Sequence, residues 1–203
     1  MNAPLLLNRS FADEPDLAAL AVDLLRGPKA LTELSIEDAR RVISYTRLIR
    51  VREGEVLTRE GEPAGDGFML LLIDGEVTVD NIVPSRTEPM VVSVLGPGHL
   101  IGETALLDGG PRTATCIATT PIIGAGLSRN AVLRMISADP EAAVKLMIGI
   151  SARMAQRLRA VNQQQRVYHQ LLSAMQGEVG ELQRQLQHVM DGSMSRAGRQ
   201  AED

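Results

Sequence analysis

The spacing of apolar positions changes twice along the chain. In residues 1–45, Leu17, Leu20, Ala21, Leu24 and Leu25 recur at helical spacing, which predicts a helix that Gly27-Pro28 ends. Ser35, with Asp38 three residues on and Ala39, Val42 and Ile43 behind it, predicts an N-cap and a second short helix. From about Thr46 to Ser128 the pattern becomes one of short runs rich in Val, Ile and Leu: Leu48 to Val51, Phe68 to Ile73, Glu76 to Val79, Met90 to Leu95, Thr115 to Thr119 and Ile122 to Leu127. Turns at Glu53-Gly54, Glu60-Gly61, Asp74-Gly75 and Gly96-Pro97-Gly98 separate them. Strands so regularly punctuated predict an antiparallel sandwich or roll rather than a parallel sheet.

After Ser128 the pattern is helical again, broken only near Asp139-Pro140. Met154, Leu158, Val161, Gln165, Tyr168, Leu172, Met175, Val179, Leu182, Leu186 and Val189 alternate four and three residues apart, and Gln165 is the one polar member. A helix folded back on its own domain would show an amphipathic stripe too. Four-three alternation sustained this far drifts out of register with a compact globule, so a coiled-coil seam is the expectation. Gly177 and Gly180 weaken it by about 1 kcal/mol each. The flanks, which include Arg157, Asn162, Gln164, His169, Glu178 and Gln185, offer few opposite-charge pairs. Symmetry makes a parallel homodimer the expected assembly, with Gln165 setting register. The expected organisation is an N-terminal helical segment at 1–29, a β-roll domain at 30–140, a dimerisation helix at 141–190 and a disordered tail at 191–203.

Composition narrows the partners. The 203 residues carry a net charge of −4, and with Tyr 2, Phe 2 and Trp 0 there is little for stacking single-stranded nucleic acid. Residues 1–140 hold 13 basic and 19 acidic side chains, while 141–203 hold 8 and 6. A net +2 spread over a long helix is not a surface that reads DNA. The 21 basic residues are 19 Arg and 2 Lys, so there is no polybasic lysine tract for an anionic membrane. The single cysteine, Cys116, excludes an internal disulfide. No apolar run reaches the roughly 20 residues of a spanning helix, and MNAPLLLNRS is not a signal pattern, so a soluble, cytoplasmic chain is expected.

The chemistry concentrates in residues 101–115, Ile-Gly-Glu-Thr-Ala-Leu-Leu-Asp-Gly-Gly-Pro-Arg-Thr-Ala-Thr. A helix beginning near Thr104 and Ala105 offers unpaired N–H groups to an anion. Arg112 offers the same anion a forked pair of charge-assisted bonds. Glu103, an acceptor when ionised, suits a sugar hydroxyl, and small Thr113 and Ala114 let backbone come close. One arginine, one helix start and one carboxylate fit a monoanionic phosphodiester on a ribose; a triphosphate would call for a P-loop lysine and metal ligands. The plainer alternative for Glu103 and Arg112 is a salt bridge between two loops, worth under about 1 kcal/mol at a surface.

At Gly102, Glu103, Ala105, Leu106, Pro111, Arg112 and Ala114 the chain resembles the cyclic nucleotide-binding domain family, whose phosphate-binding cassette reads G-E-x-A-L, a short spacer, then P-R-x-A. The spacing is similar to that in the regulatory subunits of cyclic-AMP-dependent protein kinase. The likeness extends to the turns at Gly54-Glu55, Gly61 to Gly67 and Gly75-Glu76-Val77, and to Met154-Ala155-Gln156-Arg157-Leu158, which looks like the dimer helix of catabolite activator proteins. It covers roughly residues 30–162. The resemblance implies a β-roll flanked by helices, of mixed α and β class, with a short cassette helix. It implies that Arg112 and the backbone N–H groups of Ala105 and Thr113 hold the cyclic phosphate, and that Glu103 holds the ribose 2′-hydroxyl. It also puts Val161 and Asn162 at positions that contact the base. Thr104 stands where leucine is commoner.

By resemblance to cyclic-GMP-preferring kinases the Thr113 hydroxyl would bond guanine in the syn orientation, and the plainer reading is a strand-entry residue with ordinary β propensity. That hydroxyl tolerates cyclic AMP too and shifts the preference only slightly, so cyclic AMP stays the first expected ligand and cyclic GMP the second. No metal is expected: His99, His169 and His188 lack ligand spacing. Cys116 reads as a small buried residue in a strand. No nucleophile–base pair appears, so an enzyme is not expected. The favoured reading is a homodimeric sensor that acts on an unidentified partner protein, with a continuous seam where relatives that regulate transcription carry a helix-turn-helix. The alternatives are an adaptor with a non-binding cassette, a receptor for another cyclic nucleotide or dinucleotide, and a transcription regulator with atypical DNA contact.

Overall fold

The structure is a computed structural model that describes residues 10–200 except Ala64, Asp66 and 82–89, and side chains outside 80–92 and 181–200. The chain divides into two units, Met1–Arg153 and Met154–Asp203.

In the first unit, eight strands are found among the described residues: β1 (Arg47–Val51), β2 (Val56–Thr58), β3 (Phe68–Asp74), β4 (Val77–Asn81), β5 (Met90–Leu95), β6 (Leu100–Ile101), β7 (Thr115–Ala118) and β8 (Ile122–Ser128). They form two four-stranded sheets in the orders β1-β8-β3-β6 and β2-β7-β4-β5, with every pair antiparallel. This is the expected antiparallel β-roll, of jelly-roll type. Period-two side-chain alternation builds its interior. Ile49 and Val51 on β1, Leu70 and Leu72 on β3, Val77 and Val79 on β4, and Cys116 and Ala118 on β7 form one buried cluster with Leu57, Ile101 and Ile122.

The residues between them explain why β3 reads as an unbroken apolar run. Met69, Leu71 and Ile73 are as buried as Leu70 and Leu72, because both faces of this sheet are covered. The helices α1 (Pro15–Leu25) and α3 (Glu103–Asp108) contact β3, and α4 (Arg129–Ala138) contacts β8. Strands β2 and β6, of three and two residues, escape a periodicity reading, since neither is long enough to show a period. They are specified by the partners β7 and β3.

The helix α2 (Ile36–Ser44) starts where its cap predicts: Ser35 Oγ accepts the Asp38 N–H at 3.1 Å and donates to the Asp38 carboxylate. The last helix, α5, runs from Pro140 to Gln200. Its first turns bury Ala142, Ala143, Leu146 and Ile150, which is why the first unit ends inside α5 rather than at its start. Lys145 Nζ bridges Asp38 at 3.0 Å and Glu141 at 2.7 Å, Arg41 pairs with Asp139, and the Arg153 guanidinium donates to the Lys29 carbonyl. The bonds to Asp38 and Lys29 tie α5 to the N-terminal segment.

In the second unit α5 continues through 191–200, where composition predicts a disordered tail. A backbone N–H···O=C ladder can run on through polar residues once the preceding turns are in place. Residues 201–203 and 1–9 lie outside the described residues.

The Ser35 hydroxyl and, secondarily, the Lys145 ammonium hold the Asp38 carboxyl below its ordinary pKa, against the opposing effect of burial. A depressed pKa adds stability above the unfolded value, about 4, that is lost as pH falls through the folded value. Asp38→Asn is therefore expected to cost about 1–3 kcal/mol near neutrality. The gap to the parent should close as the pH drops below about 4. Denaturant titrations of both proteins at about pH 7 and about pH 3 check this, and a gap that stays constant contradicts it.

Candidate functional site

The cassette connects β6 to β7 through α3, and its shape follows from how β6 ends. Leu70 faces Ile101 and Leu71 faces Leu100 across the β3–β6 ladder. Continued further, that register would set Phe68 opposite Glu103. The chain instead turns at Gly102 (φ 79°), and Glu103 opens α3. A side chain is excluded at Gly102: a Cβ there would lie 2.6 Å from both the Phe68 carbonyl oxygen and Arg112 Nη1. Glycine supplies the left-handed conformation and the space together.

The strand that peels away leaves the Phe68 carbonyl for another donor. Arg112 supplies it, with Nη1 donating at 3.1 Å. The guanidinium also lies over the Phe68 ring, with Cζ 4.3 Å from the centroid. The backbone of Arg112 is fixed as well: its N–H donates to Glu62 O at 2.9 Å, and its carbonyl accepts from Gly61 N–H at 2.8 Å. Beyond it, Thr58 Oγ1 donates to Ala114 O at 3.1 Å and Glu60 N–H to Thr115 Oγ1 at 3.0 Å. The loop after β2 thus stitches the second half of the cassette in place.

Arg112 is 8% exposed and Glu103 5%. Among the described residues Arg112 forms no ion pair, so the salt bridge to Glu103 considered from the sequence is not what seats the arginine. Burial pushes the pKa of the guanidinium down, and its Coulombic interaction with Cys116 opposes that shift. A buried cation whose side-chain partners among the described residues are a carbonyl and a ring is suited to an incoming anion. Around it, Ala105 is buried, Gly102, Thr104 and Ala114 are half-buried, and Thr113 is exposed. Ala105 lies in the first turn of α3, whose N–H groups have no acceptor within the helix.

Residues 48–139 match the cyclic nucleotide-binding domain family. The chain carries a cyclic nucleotide-binding domain. Over 109 residues it is 38% identical to an acetyltransferase, Pat, from Mycolicibacterium smegmatis, covering 54% of this chain and 29% of that protein. Over the same length it is 30% identical to a CRP-like cAMP-activated global transcriptional regulator from Mycobacterium tuberculosis, covering 54% and 46%. The chain thus aligns with less than half the length of these relatives. The domain is similar to the crystal structure of a cyclic nucleotide-binding domain from Methylobacillus flagellatus, with 26% identity and a TM-score of 0.63 over 74% of this chain and 82% of that one.

Within this domain the fold brings together Gly102, Glu103, Thr104, Ala105, Arg112, Thr113 and Ala114 on one β6–α3–β7 connection. Val161 and Asn162 belong to the second unit and are exposed on α5. The other sequence candidates have structural settings of their own. Cys116 is a buried member of the sheet interior, and the His99 Nδ1 lies 2.8 Å from Gly96 O. His188 falls outside the described side chains. Among the described residues no group of three or more His, Cys, Asp or Glu could hold a metal ion, and no helix is long and apolar enough to cross a membrane.

Phe68 is the residue that a motif-based reading misses. It precedes the cassette by more than thirty positions and reaches it only through the β3–β6 register. Nothing local to Phe68 signals that role.

Replacement of Gly102 by alanine is expected to destabilise the domain by at least about 1–2 kcal/mol from the left-handed conformation alone. The clash with Phe68 O and Arg112 adds to that figure. Chemical denaturation of Gly102→Ala against the parent checks it, and equal stability would contradict the geometry described.

Proposed function

We propose that this chain is a regulatory sensor whose cassette binds a cyclic nucleotide, cyclic AMP in preference to cyclic GMP, and whose output is a protein–protein contact rather than catalysis or DNA binding. One observation carries the reading: a buried arginine at the heart of the cassette that has no ion pair among the described residues. In this reading Arg112 and the N–H groups of Ala105 and Thr113 receive the cyclic phosphate, and Glu103 accepts from the ribose 2′-hydroxyl. Gly102, Thr104 and Ala114 shape the cradle around them. The base contacts at Val161 and Asn162 rest on the family resemblance alone. No metal takes part. The M. tuberculosis relative is a cAMP-activated regulator, which supports the ligand class, and the exposed Thr113 hydroxyl keeps cyclic GMP as second choice.

The output element of this proposal is the helix seam. Leu158, Val161, Tyr168, Leu172, Met175 and Val179 are between 44% and 61% exposed in the single chain. A run of apolar side chains left in water at heptad spacing favours a second helix beside it. Leu182, Leu186 and Val189 extend the pattern in sequence but lie outside the described side chains. A homodimer supplies that second helix by symmetry and leaves the partner protein to read the pair.

Calorimetric titration of the full chain with cyclic AMP, cyclic GMP and cyclic dinucleotides, side by side, tests the ligand. Arg112→Leu is expected to weaken cyclic AMP binding by roughly 150- to 5,000-fold, the equivalent of about 3–5 kcal/mol for a broken buried pair. Undiminished binding by that variant sinks the assignment. No binding by the parent favours the adaptor reading, and a preference for a cyclic dinucleotide replaces the ligand. For the seam, sedimentation of a chain ending at Gln163 should show much weaker self-association than the full chain. An unchanged dimer would put the contact elsewhere.

A further inference from the structure

Arg112 is the one cation of the cassette, yet nothing in residues 101–115 explains how its guanidinium is aimed. The aim comes from Phe68, through two contacts made by different parts of that residue. The Phe68 carbonyl takes one N–H of Arg112 Nη1 at 3.1 Å. The Phe68 ring lies beneath the guanidinium with Cζ at 4.3 Å from its centroid, well inside the range of a cation–π contact. A hydrogen bond to one nitrogen leaves a guanidinium free to swing about that bond. A ring packed against Cζ narrows that swing.

The carbonyl is available only because β6 leaves the ladder at Gly102, and the approach is open only because Gly102 has no Cβ. The ring is held in turn: Phe68 packs against the buried cluster between the sheets and pairs with Ser128 on the neighbouring strand. With Nη1 engaged, the parallel N–H pair on Nε and Nη2 has no hydrogen-bond acceptor among the described residues. Two oxygens of a phosphodiester match that pair.

We propose that Phe68 is a positioning residue for ligand capture, which orients Arg112 through its ring and its carbonyl so that the guanidinium meets the phosphate already in place. The inference rests on the proposed function for the identity of the ligand and on the geometry for the role of Phe68. Preorganisation of this kind raises affinity by removing the ordering cost from the binding step. It acts through Arg112 alone, and this distinguishes it from a general packing role.

The test uses the full chain with two variants that lose the ring, Phe68→Leu and Phe68→Met, and one that keeps it, Phe68→Tyr. Cyclic AMP affinity is expected to fall about tenfold without the ring and to stay within about threefold with it. Introduced into Arg112→Lys, the ring-removing changes should have almost no further effect, since the planar fork they orient is gone. Parent-like affinity without the ring overturns the inference, as do equal losses in both backgrounds. If the parent binds no cyclic nucleotide, the proposed function falls while the role of Phe68 can still be read by nuclear magnetic resonance. A ring beneath the guanidinium shifts the Arg112 Nε–H resonance, and that shift should vanish in Phe68→Leu and persist in Phe68→Tyr. A resonance that ignores all three substitutions overturns the positioning role.

Discussion

A buried guanidinium has to be held somewhere, and in this domain the place is a carbonyl that a strand has vacated. Removing a cation from water is costly unless donors and charge are matched. Arg112 meets part of that demand with the Phe68 carbonyl and ring, and the rest of the cassette is arranged around the arrangement that results. The turn at Gly102, the start of α3, and the pairing of the Arg112 backbone with the Gly61–Glu62 segment all converge on this side chain.

The roll supplies the rigidity such a site requires. Its two sheets share a sealed apolar interior, and the second face of the sheet that carries Phe68 is covered by helices. Both ends of the cassette grow directly out of strands, so its geometry is inherited from close packing rather than from a free loop. Away from the cassette, the Lys145–Asp38 and Arg153–Lys29 contacts fasten the first turns of α5 to α2 and to the turn between α1 and α2. The beginning of this long helix is thus a structural part of the first unit.

Most of the fold was legible in the chain because period is a local property. The alternation at Ile49/Val51 and Val77/Val79, the glycine-marked turns and the Ser35 cap each operate within a few residues, and each appears in the structure where the pattern predicts it. The cassette was legible for a similar reason, since its glycine, carboxylate, arginine and small residues occupy fifteen consecutive positions. Strands β2 and β6 were not, because two or three residues carry no period and their pairing is decided by β7 and β3. The extent of helix beyond residue 190 was not either, as polar composition does not by itself stop a helix already under way.

What the sequence determined alone was therefore an inventory: a roll of short strands, an arginine and a carboxylate at fixed separation, and an apolar seam along a helix. Only the tertiary structure decided what Arg112 touches. A salt bridge to Glu103 and a seat on Phe68 are equally compatible with the order of residues. The choice between them depends on where β6 leaves the ladder, and hence on hydrogen-bond register between segments some thirty positions apart. Register is a property of two strands together, and neither strand contains it.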